Sequence, residues 1–164
     1  MSIVLFRVDE RLIHGQVVVG WGTQLRPHRI VVVDDALARS AWEQELYTLG
    51  LPGEVASDFE TVAQARSHLS DWRAAHSRII VLTRDVATMR RLAQGGSLRG
   101  DQVNIGGLHH ADGRRAVLPY VFLSDEEAQE LAALSEDGAI ISARDLPGSR
   151  RVELDQLLKN SKRS

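Results

Sequence analysis

Short apolar runs alternate along this chain with stretches whose apolar residues recur every three or four positions. Ile3 to Val8, Arg29 to Asp34, Arg78 to Thr83, Gln102 to Ile105 and Ala139 to Ala143 read as strands. Several are unbroken, such as Ile30-Val31-Val32-Val33 and Ile79-Ile80-Val81-Leu82, as expected where helices cover both faces of a sheet. Val17 to Leu25 predicts a helix from Val17, Trp21 and Leu25, although the β-branched Val17-Val18-Val19 by itself favours a strand. Three S-x-x-E capping boxes, at Ser40 and Glu43, Ser57 and Glu60, and Ser124 and Glu127, open further helices. The first is expected to bury Trp42, Leu46 and Leu49, the second Val62, Ala65, Leu69 and Trp72, and the third Leu131 and Leu134. Asp85 is expected to cap a helix carrying Val86, Met89 and Leu92 that stops at Gly95-Gly96. Glu54 to Ala56 reads as a short strand. Arg114 to Leu123, broken by Pro119, reads as an edge strand or two short pieces. Val152 to Leu158 predicts a terminal helix, with Lys159 to Ser164 fraying. Strands alternating with helices predict an α/β fold, a mainly parallel sheet of about six to seven strands with helices on both faces.

The 164 residues fit one domain, 1–164, with no linker or repeat to divide it. With 43% hydrophobic and 26% charged residues the composition is that of a water-soluble globule. A net charge of -2 gives no sign of a nucleic-acid partner or a membrane surface. Cysteine is absent, which removes disulfides, thiolate catalysis and cysteine-based zinc sites. No basic, apolar leader precedes the first strand, so no secretory signal is expected. No run approaches the roughly 18 apolar residues that a membrane span needs.

The candidate chemistry is concentrated after the first strand, in Arg7-Val8-Asp9-Glu10-Arg11-Leu12-Ile13-His14-Gly15-Gln16. In an open α/β sheet, ligands bind outside the carboxyl ends of the strands, where helix N-termini offer free N–H groups to anions. Arg7, Asp9 and Arg11, two apart on extended chain, could face one pocket together with His14. A neutral imidazole there can act as a phosphoryl-accepting nucleophile. Arg7 and Arg11 could hold the phosphoryl oxygens, Asp9 could orient an arginine or the imidazole, and the N–H groups of Gly15 and Gln16 could complete the cradle. The residues alone leave open a surface ion-pair turn with a capping histidine. Elsewhere, Thr83 ends a strand and is a phosphate-binding candidate, with an N-cap at Thr83-Arg84-Asp85 as the alternative. Asn104-Ile105-Gly106-Gly107 either brings backbone near a phosphate or is a glycine turn. Asp34-Asp35 could ligate Mg²⁺ but more often such a pair caps the next segment. His109-His110 has no third ligand in view, so no metal is assigned. A histidine phosphatase would want an arginine directly before the histidine, where Ile13 stands. A dinucleotide-binding domain would want G-x-G-x-x-G after the first strand.

The run Arg7 to Val17, with Trp21 shortly after, resembles the active-site loop of the IIB components of the mannose/fructose/sorbose family of sugar phosphotransferase systems (PTS). Ile30 to Asp35, Leu51-Pro52, Val103 to Gly106 and Leu123 to Glu127 extend the resemblance over nearly the whole chain. It departs at position 10, where Glu stands and Asp is frequent, and in Gly107 to Arg114. The resemblance implies a phosphotransferase of the protein-phosphohistidine–sugar type. Such a protein is cytoplasmic, peripheral to the inner membrane through its IIC and IID partners, and needs no cofactor. It takes a phosphoryl group from the IIA component, itself charged by HPr, and passes it to sugar entering through IIC and IID. By that resemblance His14 is phosphorylated on Nδ1, and Arg7, Asp9 and Arg11 form the pocket. The family fold has one antiparallel edge strand, and members are commonly dimers. An alternative within the resemblance is a regulatory phosphocarrier of an incomplete system, signalling without transport.

Overall fold

The computed structural model describes residues 2–162. In chain order the strands are β1 (Ile3–Val8), β2 (Arg29–Val33), β3 (Ala56–Glu60), β4 (Ile79–Thr83), β5 (Gln102–Ile105), β6 (Arg115–Leu118), β7 (Val121–Leu123), β8 (Ile140–Ala143) and β9 (Val152–Glu153). The α-helices are α1 (Gly22–Leu25), α2 (Ala41–Thr48), α3 (Val62–Ala74), α4 (Val86–Ala93), α5 (Asp125–Glu136) and α6 (Leu154–Ser161). Seven strands form one sheet in the order β3-β2-β4-β1-β5-β8-β9. All its pairings are parallel except β8 with β9, so β9 is the antiparallel edge.

The connections leaving β1 and β2 run toward the β3 edge, and those leaving β3, β4 and β5 run back toward β9. Right-handed crossovers therefore place the two sets on opposite faces. The larger core holds Val62, Leu69 and Trp72 of α3, Met89 and Leu92 of α4, Leu131 and Leu134 of α5 and Leu157 of α6 against Phe6, Val8, Val31, Val81 and Val103. The smaller one packs Leu12, Ile13, Val17 and Leu37 against Ile30, Val32, Ile80 and Leu82. Adjacent strands β1 and β5 thus send their chains to opposite faces, which opens a crevice at their carboxyl ends.

Several expectations change. The β-branched run after His14 winds into a π-helix, Gln16–Trp21, before α1, with Val17 and Trp21 buried and Val19 68% exposed. The short strand after α2 is Ala56–Glu60 instead of Glu54 to Ala56. It takes in Ser57 and Glu60, so the capping box of α3 is made by Thr61 and Gln64. Ser40 makes no side-chain cap. Arg114 to Leu123 supplies the β6–β7 hairpin, which is separate from the main sheet. The terminal helix runs through Ser161, while the last two residues of the expected frayed end lie outside the described ones. The largest reversal is α2. It seats through Tyr47, which meets Phe59 at 6.4 Å between ring centroids, and through Gln44, which donates to the Leu37 carbonyl at 2.9 Å. A two-turn helix can bury only one stripe, so Trp42 (65%), Leu46 (59%) and Leu49 (82%) face outward.

This contrast is measurable in denaturant. Trp42→Ala is expected to leave unfolding stability within about 0.5 kcal/mol of wild type, whereas Trp72→Ala costs about 3–5 kcal/mol. Equal losses at the two positions would mean that α2 is seated the other way round.

Candidate functional site

Arg7 lies on β1 with its side chain fully buried. Its Nη1 donates to Asn104 Oδ1 and, at 2.9 Å, to the Arg144 carbonyl; its Nη2 donates to Asp9 Oδ2 and to the Asp145 carbonyl, both at 3.1 Å. The Trp21 ring lies 5.2 Å from the guanidinium carbon, and its Nε1 donates to the same Asp145 carbonyl at 3.0 Å. Trp21 is therefore core, and its partner is a cation. Burial lowers the Arg7 pKa, with Asp9 acting against it. Both terminal nitrogens are committed to protein acceptors, so Arg7 holds the site together, whereas the sequence suggested a direct grip on phosphoryl oxygens.

Asp9 is equally buried. Besides Arg7, its carboxylate accepts from the Arg11 backbone N–H (3.1 Å), Arg11 Nε (3.3 Å) and Nη2 (3.4 Å), and from the Gly107 N–H (3.2 Å). His14 Nε2 lies 3.2 Å from Asp9 Oδ2, outside good hydrogen-bond alignment. Burial opposes ionisation of this carboxyl, but His14, Arg7 and Arg11 outweigh it and hold its pKa well below the usual carboxylate range.

The turn itself is fixed by backbone. Asp9 N–H donates to the Thr83 carbonyl at 3.0 Å, Glu10 N–H to the Gly107 carbonyl at 2.9 Å and Leu12 N–H to the Asp9 carbonyl at 3.0 Å. Leu12 takes φ +57°, an unfavourable left-handed conformation for a branched residue, and its fully buried side chain holds it there. That reversal delivers His14 to the start of the π-helix. The Gln16 N–H points at His14 Nδ1 at 3.3 Å. With a donor at Nδ1 and a carboxylate at Nε2, the network assigns the proton to Nε2 and leaves the Nδ1 lone pair unprotonated, accepting the Gln16 N–H. Arg11, with a side chain 35% exposed, donates to Gln16 Oε1 at 2.5 Å and is thereby tied to the residue whose N–H meets Nδ1. Gly15 is exposed, and nothing lies within 4 Å of where its Cβ would be, so space remains next to His14.

Gly106 and Gly107 serve the arginines. A Cβ on Gly106 would lie 2.3 Å from Arg7 Nη2, and one on Gly107 3.0 Å from Arg11 Nη2. Thr83 does not join the phosphate-binding set: it is fully buried, and its hydroxyl donates to the Asp85 carbonyl at 2.9 Å. Asp34 accepts from Leu37 N–H and Asp35 from Val62 N–H, both at 2.9 Å, so the pair caps the following segments. Among the described residues no three metal-ligating side chains come together. His109 and His110 diverge, the first to Glu10 and the second edge-on to Phe122. Next to the turn, Ile13, Trp42, Leu46, Tyr47 and Arg84 line an open groove of about 470 Å³.

Sequence reasoning missed Asn104 as the acceptor for Arg7, the carbonyls of Arg144 and Asp145, and the Glu10 partners. The glycine pair after β5 was the available signal for close approach. Backbone carbonyls on a loop more than a hundred residues away leave no sequence signature.

Residues 3–164 match the family described as PTS system sorbose subfamily IIB component. The chain is 30% identical over 156 residues, 93% of its length and 96% of the relative's, to the N-acetylgalactosamine-specific phosphotransferase enzyme IIB component 1 of Escherichia coli. It is 26% identical over 160 residues, 98% of both chains, to the fructose-specific EIIB component of Bacillus subtilis. The crystal structure of the E. coli N-acetylgalactosamine-specific IIB component 1 superposes with a TM-score of 0.83 at 29% identity, over 92% of this chain and 98% of that one. No helix among the described residues is long and apolar enough to cross a membrane. The chain belongs to the sorbose subfamily of IIB components of the phosphotransferase system, proteins that carry a phosphoryl group toward a sugar.

Proposed function

We propose that His14 is the phosphoryl carrier, charged on Nδ1 by the phosphohistidine of a IIA component and discharged to a sugar bound by the membrane IIC and IID components. The observation that carries this reading is the polarised imidazole: Nε2 faces a buried carboxylate, and Nδ1 faces a helix start with open space beside it. In the first transfer Nδ1 attacks phosphorus in line, a P–N bond to His14 forms and the P–N bond of the donor histidine breaks. Positive charge grows on the His14 ring as that bond forms, and the ionised Asp9 stabilises it. Arg11 and the N–H groups of Gly15 and Gln16 take the phosphoryl oxygens. In the second transfer the sugar hydroxyl oxygen attacks phosphorus, a P–O bond forms as the His14 P–N bond breaks, the hydroxyl proton leaves to water and the Nδ1 lone pair is restored. Positioning and charge do this work, since the donor already supplies a reactive P–N bond. The relatives named above give no support to a regulatory carrier without transport.

The direct test uses enzyme I, HPr, a IIA component and labelled phosphoenolpyruvate. Wild type is expected to take up acid-labile, base-stable label and His14→Ala none; equal labelling of the two would refute the assignment.

The two arginines should separate. Arg7→Met leaves Asp9 and Asn104 buried without their partner, at a cost of about 3–5 kcal/mol in urea unfolding. Arg11→Gln should unfold within about 1 kcal/mol of wild type, yet accept phosphoryl about a hundredfold more slowly. A fully stable Arg7→Met protein would show that the buried pair is not the anchor.

Asp9 also sets an acid limit. A carboxyl with a lowered folded-state pKa contributes stability that is present above its unfolded value, about 4, and is lost as pH falls toward the folded value. Wild type should therefore lose stability steadily below about pH 4, and Asp9→Asn should show a flatter profile there. Parallel profiles would exclude this linkage.

A further inference from the structure

Glu10, Arg114, Glu127 and His109 form a second charged network on the same turn. Glu10 Oε2 accepts the His109 backbone N–H at 3.1 Å and lies 3.0 Å from His109 Nδ1. Arg114 Nη1 bonds Glu10 Oε1 and donates to the His109 carbonyl at 2.8 Å. The rest of the Arg114 fork meets Glu127, Nε to Oε1 at 2.9 Å and Nη2 to Oε2 at 2.8 Å, and Glu127 closes the capping box of α5 by accepting the Ser124 N–H at 2.9 Å. An imidazole held through both its backbone and its Nδ1 is oriented, not merely attached.

The remaining nitrogen, Nε2, faces the active-site turn. A Cβ on Gly107 would meet His109 Nε2 at 3.4 Å and Arg11 Nη2 at 3.0 Å, so imidazole and guanidinium reach the same small space above one glycine. The Gly107 N–H in turn donates to Asp9 Oδ2, the atom that faces His14. His109 keeps 53% of its side chain exposed, so a group arriving at the turn can reach it. Once Nδ1–H is given to Glu10, Nε2 is the only ring position left for a ligand. A phosphoryl dianion bound at Nε2 needs an N–H there, which requires protons on both ring nitrogens while it is bound.

Building on the phosphocarrier reading, we infer that His109 is a second phosphoryl-contacting residue: Glu10 aims its imidazole so that Nε2–H and Arg11 together bind the phosphoryl oxygens on His14. Arg114 and Glu127 are positioning residues for that imidazole. The network therefore gives the loop between β5 and β6 a part in transfer.

The test is ¹⁵N NMR of the imidazoles in wild-type protein before and after charging by phosphorylated IIA, with single-turnover transfer rates for His109→Ala and His109→Gln. Charging His14 should move the His109 Nε2 resonance. His109→Ala should slow transfer about tenfold without moving the unfolding midpoint, and His109→Gln, whose amide still donates, should recover part of that rate. A His109 resonance that stays put while His14 is charged, or a wild-type rate in His109→Ala, overturns the proposal and leaves His109 as a loop anchor. No label on wild-type His14 would instead sink the phosphocarrier reading, and this inference with it.

Discussion

The buried pair of Arg7 and Asp9 is the constraint to which the rest of this site answers. Two charges taken out of water lose several kcal/mol of hydration each, and their mutual attraction makes this good only when the remaining donors and acceptors are also satisfied. Four of the five nitrogen–hydrogen directions of Arg7 end on protein oxygens, contributed by Asp9 itself, by β5 and by the loop after β8, and the fifth, at Nε, is buried without a partner among the described residues. Gly106 is therefore bound to have no side chain, because the guanidinium occupies the volume a Cβ would take. Trp21 covers the pair from the helix side. One buried cation thereby ties together β1, β5, the π-helix and the loop after β8, and it does so at the sheet's crevice, where the turn to His14 begins.

The same arrangement divides labour among residue types that look alike in sequence. Arg7 and Arg11 are four residues apart, and both bond Asp9. Arg7 points into the sheet and is wholly dehydrated, while Arg11 lies over the turn and keeps part of its surface in water. The first fixes Asp9, and the second keeps a face open to solvent. The left-handed Leu12 supplies the geometric break between them and His14: the backbone reverses at a strained residue that the core over-determines.

Much of this was legible in the chain. The unbroken apolar runs at β2 and β4, the capping residues Asp85 and Ser124, and the concentration of charge after β1 each carried local chemistry that the fold obeys. What was not legible depended on choices that local patterns leave degenerate. Helix α2 has one apolar stripe, Trp42, Leu46 and Leu49, yet it seats through Tyr47 on Phe59 and Gln44 on the Leu37 carbonyl, contacts that periodicity does not reveal. Ser57 and Thr61 both precede a plausible N3 partner, and pairing of β3 with β2 consumes the first. Thr83 stands at the end of its strand as expected, but its hydroxyl turns to Asp85, a rotamer choice invisible in sequence. The distant carbonyls that hold Arg7 have no residue identity to read.

The outward stripe of α2 also has an optical consequence. Of the three tryptophans in the chain, Trp21 and Trp72 are buried, and only Trp42 is largely open to water. It lines the groove shared with Ile13, the residue just before His14. The intrinsic fluorescence of this protein thus contains two shielded emitters and one quenchable emitter beside the His14 turn. The wild-type chain carries its own reporter of whatever covers that face, with no label added.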